Sequence, residues 1–372
     1  MIEQLSSHPI RKRGGDIVVR WMKILVATDA WHPQVNGVVR TLGSLARAAS
    51  KLGVTIDFLT PEGFPSFQLP TYPGLRLALP SRRGIEERIE AKKPDAIHIA
   101  TEGPIGFAVR AYCRRRGRRF TTSYTTRFPE YISARLPIPA ECVYAVLRWF
   151  HSAATVTMVA TPSLKNELAN RGFANLGMWT RGVDIDLFSP DRAIQLDFAR
   201  PIFMTVGRIA VEKNLEAFLS LDLPGTKVVI GSGPAEAKLR QKFTEAKFLG
   251  PLENGTLAAH LAAADVFVFP SRTDTFGIVQ LEALASGVPI AAFPVTGPKD
   301  VVAGHPVGVL DENLRNACLQ ALHLPRDDCR KFALHYSWEN SARQFVDHAR
   351  KVADNTCDFE TTRVVVEEAA PG

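Results

Sequence analysis

Residues 264–289 constrain the fold most, because they predict a buried strand, a polar turn and a helix in direct succession. The run ADVFVF at 264–269 is apolar and rich in β-branched and aromatic residues, which is typical of a strand buried in a parallel sheet. Residues 271–275 are polar, and the helical spacing of apolar residues that follows ends at Gly287 and Pro289. Free backbone N–H groups at such a helix start favour anions, and open α/β sheets bind ligands at this edge.

This stretch also carries two carboxylates, Asp274 and Glu282, eight residues apart. On a helix that separation returns to nearly the same face about two turns further on. Both carboxylates are therefore placed to accept hydrogen bonds from the hydroxyl groups of one polar ligand, such as a sugar nucleotide. Spacing alone favours a plainer interpretation, a surface acid and an unrelated helix glutamate.

Strand and helix patterns alternate along the chain, which predicts an α/β fold with parallel sheets. A length of 372 residues favours two domains, and the polar, Pro-containing residues 187–200 are suited to link them. The predicted strands are 22–28, 54–59, 96–100, 120–123, 155–159, 176–180, 202–206, 227–230, 264–269 and 290–293. Residues 1–21 are predicted to be a disordered basic tail or an upstream start-site artefact, and residues 353–372 a mobile tail. Between them the predicted divisions are a first domain at 22–190, a second at 198–336 and a helix returning to the first domain at 337–352. Helices are predicted at about 38–52 and 311–323, and the Pro-rich residues 61–80 are expected to be irregular.

Composition narrows the class of protein. Apolar residues make up 46% of the chain and charged residues 22%, which is typical of a folded globular protein. The five cysteines show no CxxC spacing, which predicts ordinary thiols in a reducing compartment. No apolar run of about 18 residues predicts a transmembrane helix, and the polar first twenty residues do not resemble a secretory signal. We therefore expect a cytoplasmic protein.

The net charge of +7 is unevenly distributed. Residues 22–190 carry 22 Lys and Arg against 13 Asp and Glu, whereas residues 191–372 carry 19 against 23. Such asymmetry indicates a polyanionic partner for the basic half, either nucleic acid or an anionic membrane surface; a solvated arginine-rich helix end is the plain alternative. No recognisable nucleic-acid-reading module accompanies the cluster. Its densest part is Arg110, Arg114, Arg115, Arg116, Arg118 and Arg119.

Several motifs together resemble one enzyme family. TDTFG, LEA and SGVP at 273–289, GRIAVEKN at 207–214 and PQVNGVVRTL at 33–42 are similar to segments of the retaining glycosyltransferases of GT-B fold, family 4. The resemblance covers nearly all of residues 22–350 and includes the family's E-x7-E pattern, with Asp274 in place of the first Glu. It implies two Rossmann-like domains facing a central cleft, a nucleotide sugar bound to the second domain and an acceptor presented by the first.

The resemblance also implies roles for the main site residues. Arg208 and Lys213 are expected to hold the diphosphate. Their spacing alone is equally consistent with two solvated cations that bind no ligand. Asp274 is expected to hold donor-sugar hydroxyls and Glu282 the ribose. His98 is expected to contact the far side of the sugar, although a lone mid-strand histidine is more often a core residue.

Further donor and acceptor contacts follow from the same resemblance. The expected donor-side residues are Asn36, Gly37, Gly231, Gly233, Thr275, Phe276, Gly277 and Ile278. The expected acceptor-side residues are Glu102, Arg127, Glu130 and Tyr131, in a segment where Thr125 replaces the histidine of relatives that read YHTRFPEY. No metal or cofactor is expected, because the DID at 184–186 lies in an RGVD…LFSP segment that resembles the family's domain junction and not a manganese-binding DxD.

The predicted function is transfer of a hexosyl group from a UDP-sugar to a membrane lipid such as diacylglycerol, with GDP-mannose as the alternative donor. The chain looks most similar to bacterial glucosyl-, glucuronosyl- and sulfoquinovosyl-diacylglycerol synthases and lipid mannosyltransferases. Arg114–Arg119 are expected to contact the inner face of the cell membrane. Two other classes stay open: a sugar-nucleotide epimerase or phosphorylase on the same scaffold, and a basic nucleic-acid-binding protein.

Overall fold

The computed structural model of the chain describes residues 10–13, 16–19, 21–31, 37–68, 76–133 and 136–353, and over residues 10–19 the backbone alone. Near the N-terminus, β1 (Ile10–Arg13) and β2 (Asp16–Val19) pair as an antiparallel hairpin. These two strands differ from the disordered tail expected at 1–21. Residues 1–9, 14, 15 and 20 lie outside the described residues, as do residues 354–372 of the expected C-terminal tail.

The first domain is organised around a six-stranded sheet in the order β10-β9-β8-β7-β3-β4, in which every pair is parallel. Its strand β3, next to the edge strand β4, is fully buried from Ile24 to Ala27, as the predicted first strand requires. The strands are β3 (Met22–Ala27), β4 (Val54–Leu59), β7 (Ala96–Ile99), β8 (Thr121–Ser123), β9 (Val156–Val159) and β10 (Leu176–Met178).

Helices cover both faces of this sheet, and local sequence sets their ends. Thr161 and Ser81 accept hydrogen bonds from the backbone N–H groups of Leu164 and Gly84 and so begin two of the helices, while Gly117 ends another in the left-handed conformation. The helices are α1 (Gly37–Ser50), α2 (Arg82–Lys92), α3 (Pro104–Arg116), α4 (Phe128–Ser133), α5 (Ala140–His151) and α6 (Pro162–Asn170).

The second domain repeats the architecture with the strand order β13-β12-β11-β14-β15-β16, again all parallel. Its strands are β11 (Ile202–Val206), β12 (Thr226–Ile230), β13 (Lys247–Gly250), β14 (Val266–Phe269), β15 (Ile290–Ala292) and β16 (Gly308–Leu310). Its helices are α7 (Leu215–Leu219), α8 (Glu236–Lys242), α9 (Asn254–Ala262), α10 (Ile278–Ala285), α11 (Pro298–Val302), α12 (Leu314–Ala321) and α13 (Arg326–Ala333). Two parallel sheets flanked by helices confirm the predicted α/β fold class.

The last described helix, α14 (Trp338–Arg350), lies against α1 of the first domain. The Trp179 indole donates to the Ser341 hydroxyl at 3.1 Å, and the Thr180 backbone N–H donates to the Gln344 side-chain carbonyl at 2.8 Å. The chain therefore passes between the domains twice, and the two passages touch in a parallel bridge between Val183 and Ser337.

Some elements were not anticipated by the sequence. Residues 66–78, expected to be irregular, include β5 (Ser66–Gln68) and β6 (Arg76–Ala78), which pair antiparallel. The strand β16 and the helices α2 and α13 are among the other elements that the sequence did not predict. These elements are short or highly charged, so their apolar periodicity is weak.

Candidate functional site

The second-domain site lies at the neighbouring strands β11 and β14. The strand order reverses between them, because β12 lies on the outer side of β11 and β15 lies on the outer side of β14. Such a switch point opens a crevice at the carboxyl ends of the strands. The loops after the two strands are joined: the Asn214 amide donates to the Pro270 carbonyl at 3.1 Å and the Ser271 hydroxyl to the Glu212 carbonyl at 3.3 Å. As a result, the Lys213 Nζ lies 2.5 Å from the Asp274 Oδ1.

The electrostatics of this pair keep Lys213 cationic. Burial alone would lower the pKa of Lys213, but the Asp274 carboxylate, with Tyr131 and Glu212 nearby, outweighs it and raises that pKa above its ordinary value. The Asp274 Oδ2 is buried and has no hydrogen-bond partner among the described residues. Since a buried polar oxygen without a partner is costly, this oxygen is suited to accept a hydrogen bond from a bound ligand.

Arg208 follows the same strand β11 and is half-buried at the edge of the crevice. The turn after β12 lies directly against it, and the Ile209 N–H donates to the Ser232 carbonyl at 2.9 Å. Gly231, with φ of 131°, has no room for a side chain, because a Cβ there would overlap the Gly207 carbonyl; at Gly233 a Cβ would overlap the Ile209 carbonyl. The predicted Gly turn thus lets two backbone segments approach each other beside Arg208.

Glu282 lies on the second turn of α10, where it is buried and faces the first domain. The Arg40 guanidinium, on the first turn of α1, binds both of its carboxylate oxygens at 2.6 and 3.3 Å. Burial raises the pKa of Glu282, and Arg40 opposes that rise. Sequence reasoning missed Arg40, although it follows Gly37 by three residues and so shares its side of the helix.

The start of α10 touches the first domain as well. Gly277 adopts a left-handed φ of 76° before Ile278, the first residue of the helix, and the Thr275 hydroxyl donates to the Thr125 carbonyl at 2.8 Å. Phe276, expected on the donor side, has its side chain in the hydrophobic core of the second domain. Its side chain therefore does not reach the cleft, which corrects that expectation for the ring.

The expected acceptor-side segment is held by a polar network. Arg127 forms a bidentate ion pair with Glu167 at 2.8 and 2.6 Å and contacts Glu130 at 3.3 Å, while the Tyr144 hydroxyl donates to Glu130 at 2.6 Å. Tyr131 lies close enough to Lys213 to contribute to its raised pKa, so the segment meets the lysine across the cleft. Buried polar atoms without a partner among the described residues cluster here: the Tyr124 hydroxyl, the Thr125 hydroxyl and the Glu130 Oε2.

Glu102 follows β7 and is buried beneath this segment. Its Oε1 lies 3.1 Å from the His151 Nε2, and its Oε2 has no partner among the described residues. The His151 Nδ1 in turn lies 2.9 Å from the Thr122 hydroxyl. Glu102 therefore lies behind the acceptor-side segment, where it contacts His151.

His98 is not brought to the cleft. It is fully buried, and its two ring nitrogens lie 2.9 Å from the Thr121 hydroxyl and 3.2 Å from the Ser123 hydroxyl. Its ring packs edge-on against Phe345 of α14 at 4.8 Å between centroids. Burial, together with the nearby Arg181, lowers its pKa to about 3. The geometry corrects the expected sugar contact and agrees with the alternative of a core histidine.

The arginines expected at a membrane surround the C-terminal end of α3. Arg114 and Arg115 are exposed, whereas Arg116 pairs with Glu86, Arg118 donates to the Pro94 carbonyl at 2.7 Å, and Arg119 donates to the Lys351 carbonyl. This end of α3 is opposite to the cleft edge, where the helix begins at Pro104.

The remaining expectations concern the loop before α1, the DID segment, metal binding and a transmembrane helix. Asn36 lies outside the described residues, and Gly37 begins α1 with open space around it. The Asp184 carboxylate accepts from the Leu187 N–H at 2.9 Å, as a turn-capping residue does. Within the described ranges, no group of three or more His, Cys, Asp or Glu is arranged to hold a metal, and no helix is long and apolar enough to cross a bilayer.

Comparison with known families places the whole cleft in one group of enzymes. Residues 35–187 match the sequence model of Glycosyltransferase Family 4, and residues 200–323 match that of Glycosyl transferases group 1. The motifs quoted above lie within or next to these two ranges.

Two relatives cover most of the chain. A GDP-mannose-dependent alpha-mannosyltransferase from Mycolicibacterium smegmatis is 30% identical over 78% of this chain and 84% of its own, and one from Mycobacterium tuberculosis is 28% identical over 81% and 88%. The sulfoquinovosyl transferase SQD2 of Arabidopsis thaliana is 33% identical, over 64% of this chain and half of its own length.

Solved structures agree on the fold. Sucrose-phosphate synthase from Thermosynechococcus elongatus superposes with a TM-score of 0.72 at 19% identity, over 89% of this chain and 98% of its own. HepE from Anabaena, in complex with UDP-glucose, superposes with a TM-score of 0.67 at 15% identity, over 89% and 100%. These neighbours have the GT-B fold, which confirms the predicted arrangement of two Rossmann-like domains.

Proposed function

Because the chain belongs to the family 4 and group 1 glycosyltransferases, we propose that it transfers a hexosyl group from a nucleotide sugar to a lipid hydroxyl, with retention of configuration. The observation that supports this most is the pairing of Lys213 with Asp274 at the switch point of the second sheet, with Tyr131 of the first domain close by. A cation and a carboxylate with a spare oxygen are the groups that a diphosphate and a sugar hydroxyl require.

In the proposed reaction the donor diphosphate lies between Arg208 and Lys213. Lys213 exchanges its contact with Asp274, which raises its pKa, for a phosphate oxygen, whose negative charge then favours the charged ammonium in the same way. Negative charge accumulates on the leaving diphosphate as the glycosidic bond breaks, so fixed cations stabilise the transition state more than the bound donor.

Asp274 and Glu282 are proposed to bind the two hydroxyl-bearing ends of the donor. The freed Asp274 carboxylate accepts from the sugar, and Glu282 accepts from the ribose, while the Arg40 guanidinium favours its ionised form. The bond from the anomeric carbon to the phosphate oxygen breaks, and the bond to the acceptor oxygen forms on the same face. The acceptor proton passes to the leaving phosphate, so no protein nucleophile or metal ion is part of the proposed mechanism.

The proposed acceptor is a lipid hydroxyl, with diacylglycerol the first candidate. The positive charge of residues 22–190 suits an enzyme that works on the anionic inner face of the cell membrane. SQD2, one of the relatives, is a sulfoquinovosyl transferase by name, and sulfoquinovosyl transfer is among the activities that the sequence resemblance implies.

The sequence favours a UDP-sugar as donor, and a specific observation supports a second candidate. Relatives that match over most of their own length are named GDP-mannose-dependent alpha-mannosyltransferases. A mannosyl transfer would use the same Arg208, Lys213, Asp274 and Glu282.

A donor panel tests the proposal. Purified protein is incubated with UDP-glucose, UDP-glucuronate, UDP-sulfoquinovose or GDP-mannose and with diacylglycerol in vesicles that contain phosphatidylglycerol, and new glycolipid is measured by mass spectrometry. Product that disappears in Lys213→Ala supports the proposal, and the productive donor identifies the nucleotide.

Other outcomes would select another class. Free nucleoside diphosphate or an isomerised donor without a lipid product would favour an epimerase. Salt-sensitive binding to nucleic acid that Lys213→Ala leaves unchanged would favour a nucleic-acid-binding protein.

A further inference from the structure

Helix α5 has apolar residues on two opposite faces. Its inner face, with Tyr144, Leu147 and Phe150, is buried in the first domain. Its outward side chains include an apolar stripe at helical spacing, defined here as the α5 outer face: Cys142, Ala145, Val146 and Trp149. Trp149 is 55% exposed and Val146 is 51% exposed. One buried face suffices to fix a helix to its domain, so the outer face requires another explanation.

The exposed apolar surface continues in the turn before the helix, where Leu136 and Ile138 are also exposed. Together with Val146 and Trp149 they are four of the ten large apolar side chains that stand exposed in the described part of the chain, and all four fall within fourteen consecutive residues. Scattered apolar residues are normal on protein surfaces, but a concentration of this kind marks an interaction site.

Trp149 is held in place although it is exposed. The Arg110 guanidinium lies 3.8 Å from its ring centroid and donates to the carbonyls of Trp149 and Phe150, both at 2.9 Å. The Phe107 ring is nearly parallel to the indole at 6.2 Å between centroids. The indole ring is therefore held in one orientation, and it would lose little side-chain conformational entropy if it became buried at an interface.

Positive charge borders this apolar surface. Arg148 projects from α5 itself, Arg171 lies across the ring of Tyr144, and Arg114 lies one helical turn after Arg110 on α3. Burial, with repulsion from the neighbouring Arg114, lowers the pKa of Arg110. Glu141 is the acid at the start of the helix, and it is paired with Arg171 at 2.7 Å.

We propose that the α5 outer face, with Leu136 and Ile138, is the surface that inserts into the interface of an anionic lipid bilayer. An apolar stripe with an aromatic anchor and a cationic border complements acyl chains next to anionic headgroups. The proposal rests on the lipid acceptor proposed above, and it moves the main membrane contact from Arg114–Arg119 to α5.

The same helix connects this surface to the reaction cleft. The Tyr144 hydroxyl, on its inner face, donates to Glu130 of the acceptor-side segment at 2.6 Å. The turn that carries Leu136 and Ile138 directly follows that segment. A bilayer against α5 therefore lies next to the entrance that a lipid acceptor has to use.

The test measures vesicle binding by co-sedimentation, with no donor present, so that it does not depend on turnover. The full chain and a Val146→Glu/Trp149→Glu variant are compared on vesicles of phosphatidylcholine with and without phosphatidylglycerol. We expect the variant to bind the anionic vesicles at least about tenfold more weakly. Leu79→Glu is the matched control, because Leu79 is an equally exposed apolar residue of the same domain, and we expect it to bind normally.

A second measurement locates the contact without relying on a disruptive variant. We expect lipids with brominated acyl chains to quench the fluorescence of the full chain, and Trp149→Phe, which keeps an apolar ring, to bind with less quenching. Circular dichroism and the thermal midpoint confirm that each variant is folded.

Four results would overturn the proposal: unchanged binding of the double variant, unchanged quenching in Trp149→Phe, equal binding of the native chain to uncharged vesicles, or a native dimer that the double variant converts to a monomer. The last would assign the α5 outer face to a second copy of this chain. If α5-dependent binding is found but no donor yields a glycolipid, the surface assignment stands and the proposed acceptor fails.

Discussion

In the described structure Lys213 pairs with Asp274, and in the proposed mechanism donor binding replaces this interaction. Its contact with Asp274 at 2.5 Å is half-buried, so a phosphate oxygen can take it over without exposing the ammonium group to bulk water. Arg208, five residues earlier, offers a second cation on the same loop.

Replacing this lysine tests the diphosphate role. We expect Lys213→Ala to lower kcat/KM by about 30- to 1,000-fold, or about 2–4 kcal/mol, because the leaving group loses a charge-assisted contact that strengthens in the transition state. Steady-state kinetics with the productive donor measure this loss. Lys242→Ala is the control, since Lys242 is an exposed cation of the same domain that pairs with Glu216, and an equal loss there would refute a specific role.

Arg40 acts through Glu282, so its removal is expected to change a pH profile. Burial raises the pKa of Glu282 and Arg40 opposes this, so Arg40→Ala should raise that pKa further. The acid limb of the kcat/KM profile should move to higher pH, because the carboxylate must be ionised to accept the ribose hydroxyls.

The raised pKa of Glu282 should also affect how the stability of the protein depends on pH. A carboxyl group with a raised pKa holds its proton longer in the folded state than in the unfolded state, so stability falls as pH rises from its ordinary pKa through the raised value. Arg40→Ala should extend that fall to higher pH. Arg47→Ala, on the exposed side of the same helix, is the control, and an acid limb that stays in place would contradict the positioning role.

Replacing His98 tests whether this residue contacts the sugar or belongs to the core. With both ring nitrogens bonded to sheet hydroxyls, we expect His98→Ala to lower stability by about 2–4 kcal/mol, since two buried hydroxyls lose their partner and a cavity forms. The donor KM of the folded variant should stay unchanged. A large rise in KM with little change in the thermal midpoint would restore the sugar contact.

At the scale of elements, α14 fixes the second domain to the first. Phe345 is fully buried between His98 and Trp179, at 4.8 and 5.1 Å between ring centroids. The helix thus completes the core of a domain from which it is separated by the whole second domain in sequence.

Truncating this ring should destabilise both domains. We expect Phe345→Ala to cost about 3–5 kcal/mol in the free energy of unfolding, as for other buried aromatic residues. Chemical denaturation followed by tryptophan fluorescence measures it, because Trp179 lies in contact with the ring. Arg343→Ala changes an exposed residue of the same helix and should lower the free energy of unfolding only slightly. Equal losses of stability in the two variants would contradict a specific role of the Phe345 ring in the core.

The sequence predicted those elements whose local pattern and tertiary environment agree. The strand, turn and helix of residues 264–289 combine an uninterrupted buried strand with a glycine stop, so β14 and α10 follow from local rules. The antiparallel pair β5 and β6 did not, because each strand is only three residues long and two prolines lie between them. For the site, Lys213, Asp274 and Glu282 were found through motifs, whereas Arg40 gains its meaning only from a contact with a residue 242 positions away.

At the scale of the whole molecule, the two chain passages between the domains touch at Gly182. A Cβ at this position would lie 2.5 Å from the backbone nitrogen of Trp338, and the Val183 N–H donates to the Tyr336 carbonyl at 2.9 Å. Glycine is therefore required for the passages to lie side by side.

An added methyl group here should disturb how the domains face each other. We expect Gly182→Ala to lower kcat/KM by about tenfold, on the scale of a small misalignment of reacting groups, and to change the radius of gyration in solution scattering. Donor affinity, which in the proposed mechanism depends mainly on the second domain, should change less. Gly255→Ala is the control, because a Cβ there meets nothing within 4 Å; unchanged scattering and activity in Gly182→Ala would show that the passages tolerate separation.

The two adjacent passages also determine which motions the cleft can make. Two covalent connections that lie side by side allow the domains to rotate about the line that joins the connections, but they resist twisting of one domain against the other. The rim of the cleft farthest from the connections therefore moves the most. A rotation of a few degrees at Val183 and Ser337 would separate the Thr275 hydroxyl from the Thr125 carbonyl and part Arg40 from Glu282 in one step. Opening for product release and closure around a new donor would then be the same rotation in opposite directions. The rate of that rotation would set an upper limit on kcat.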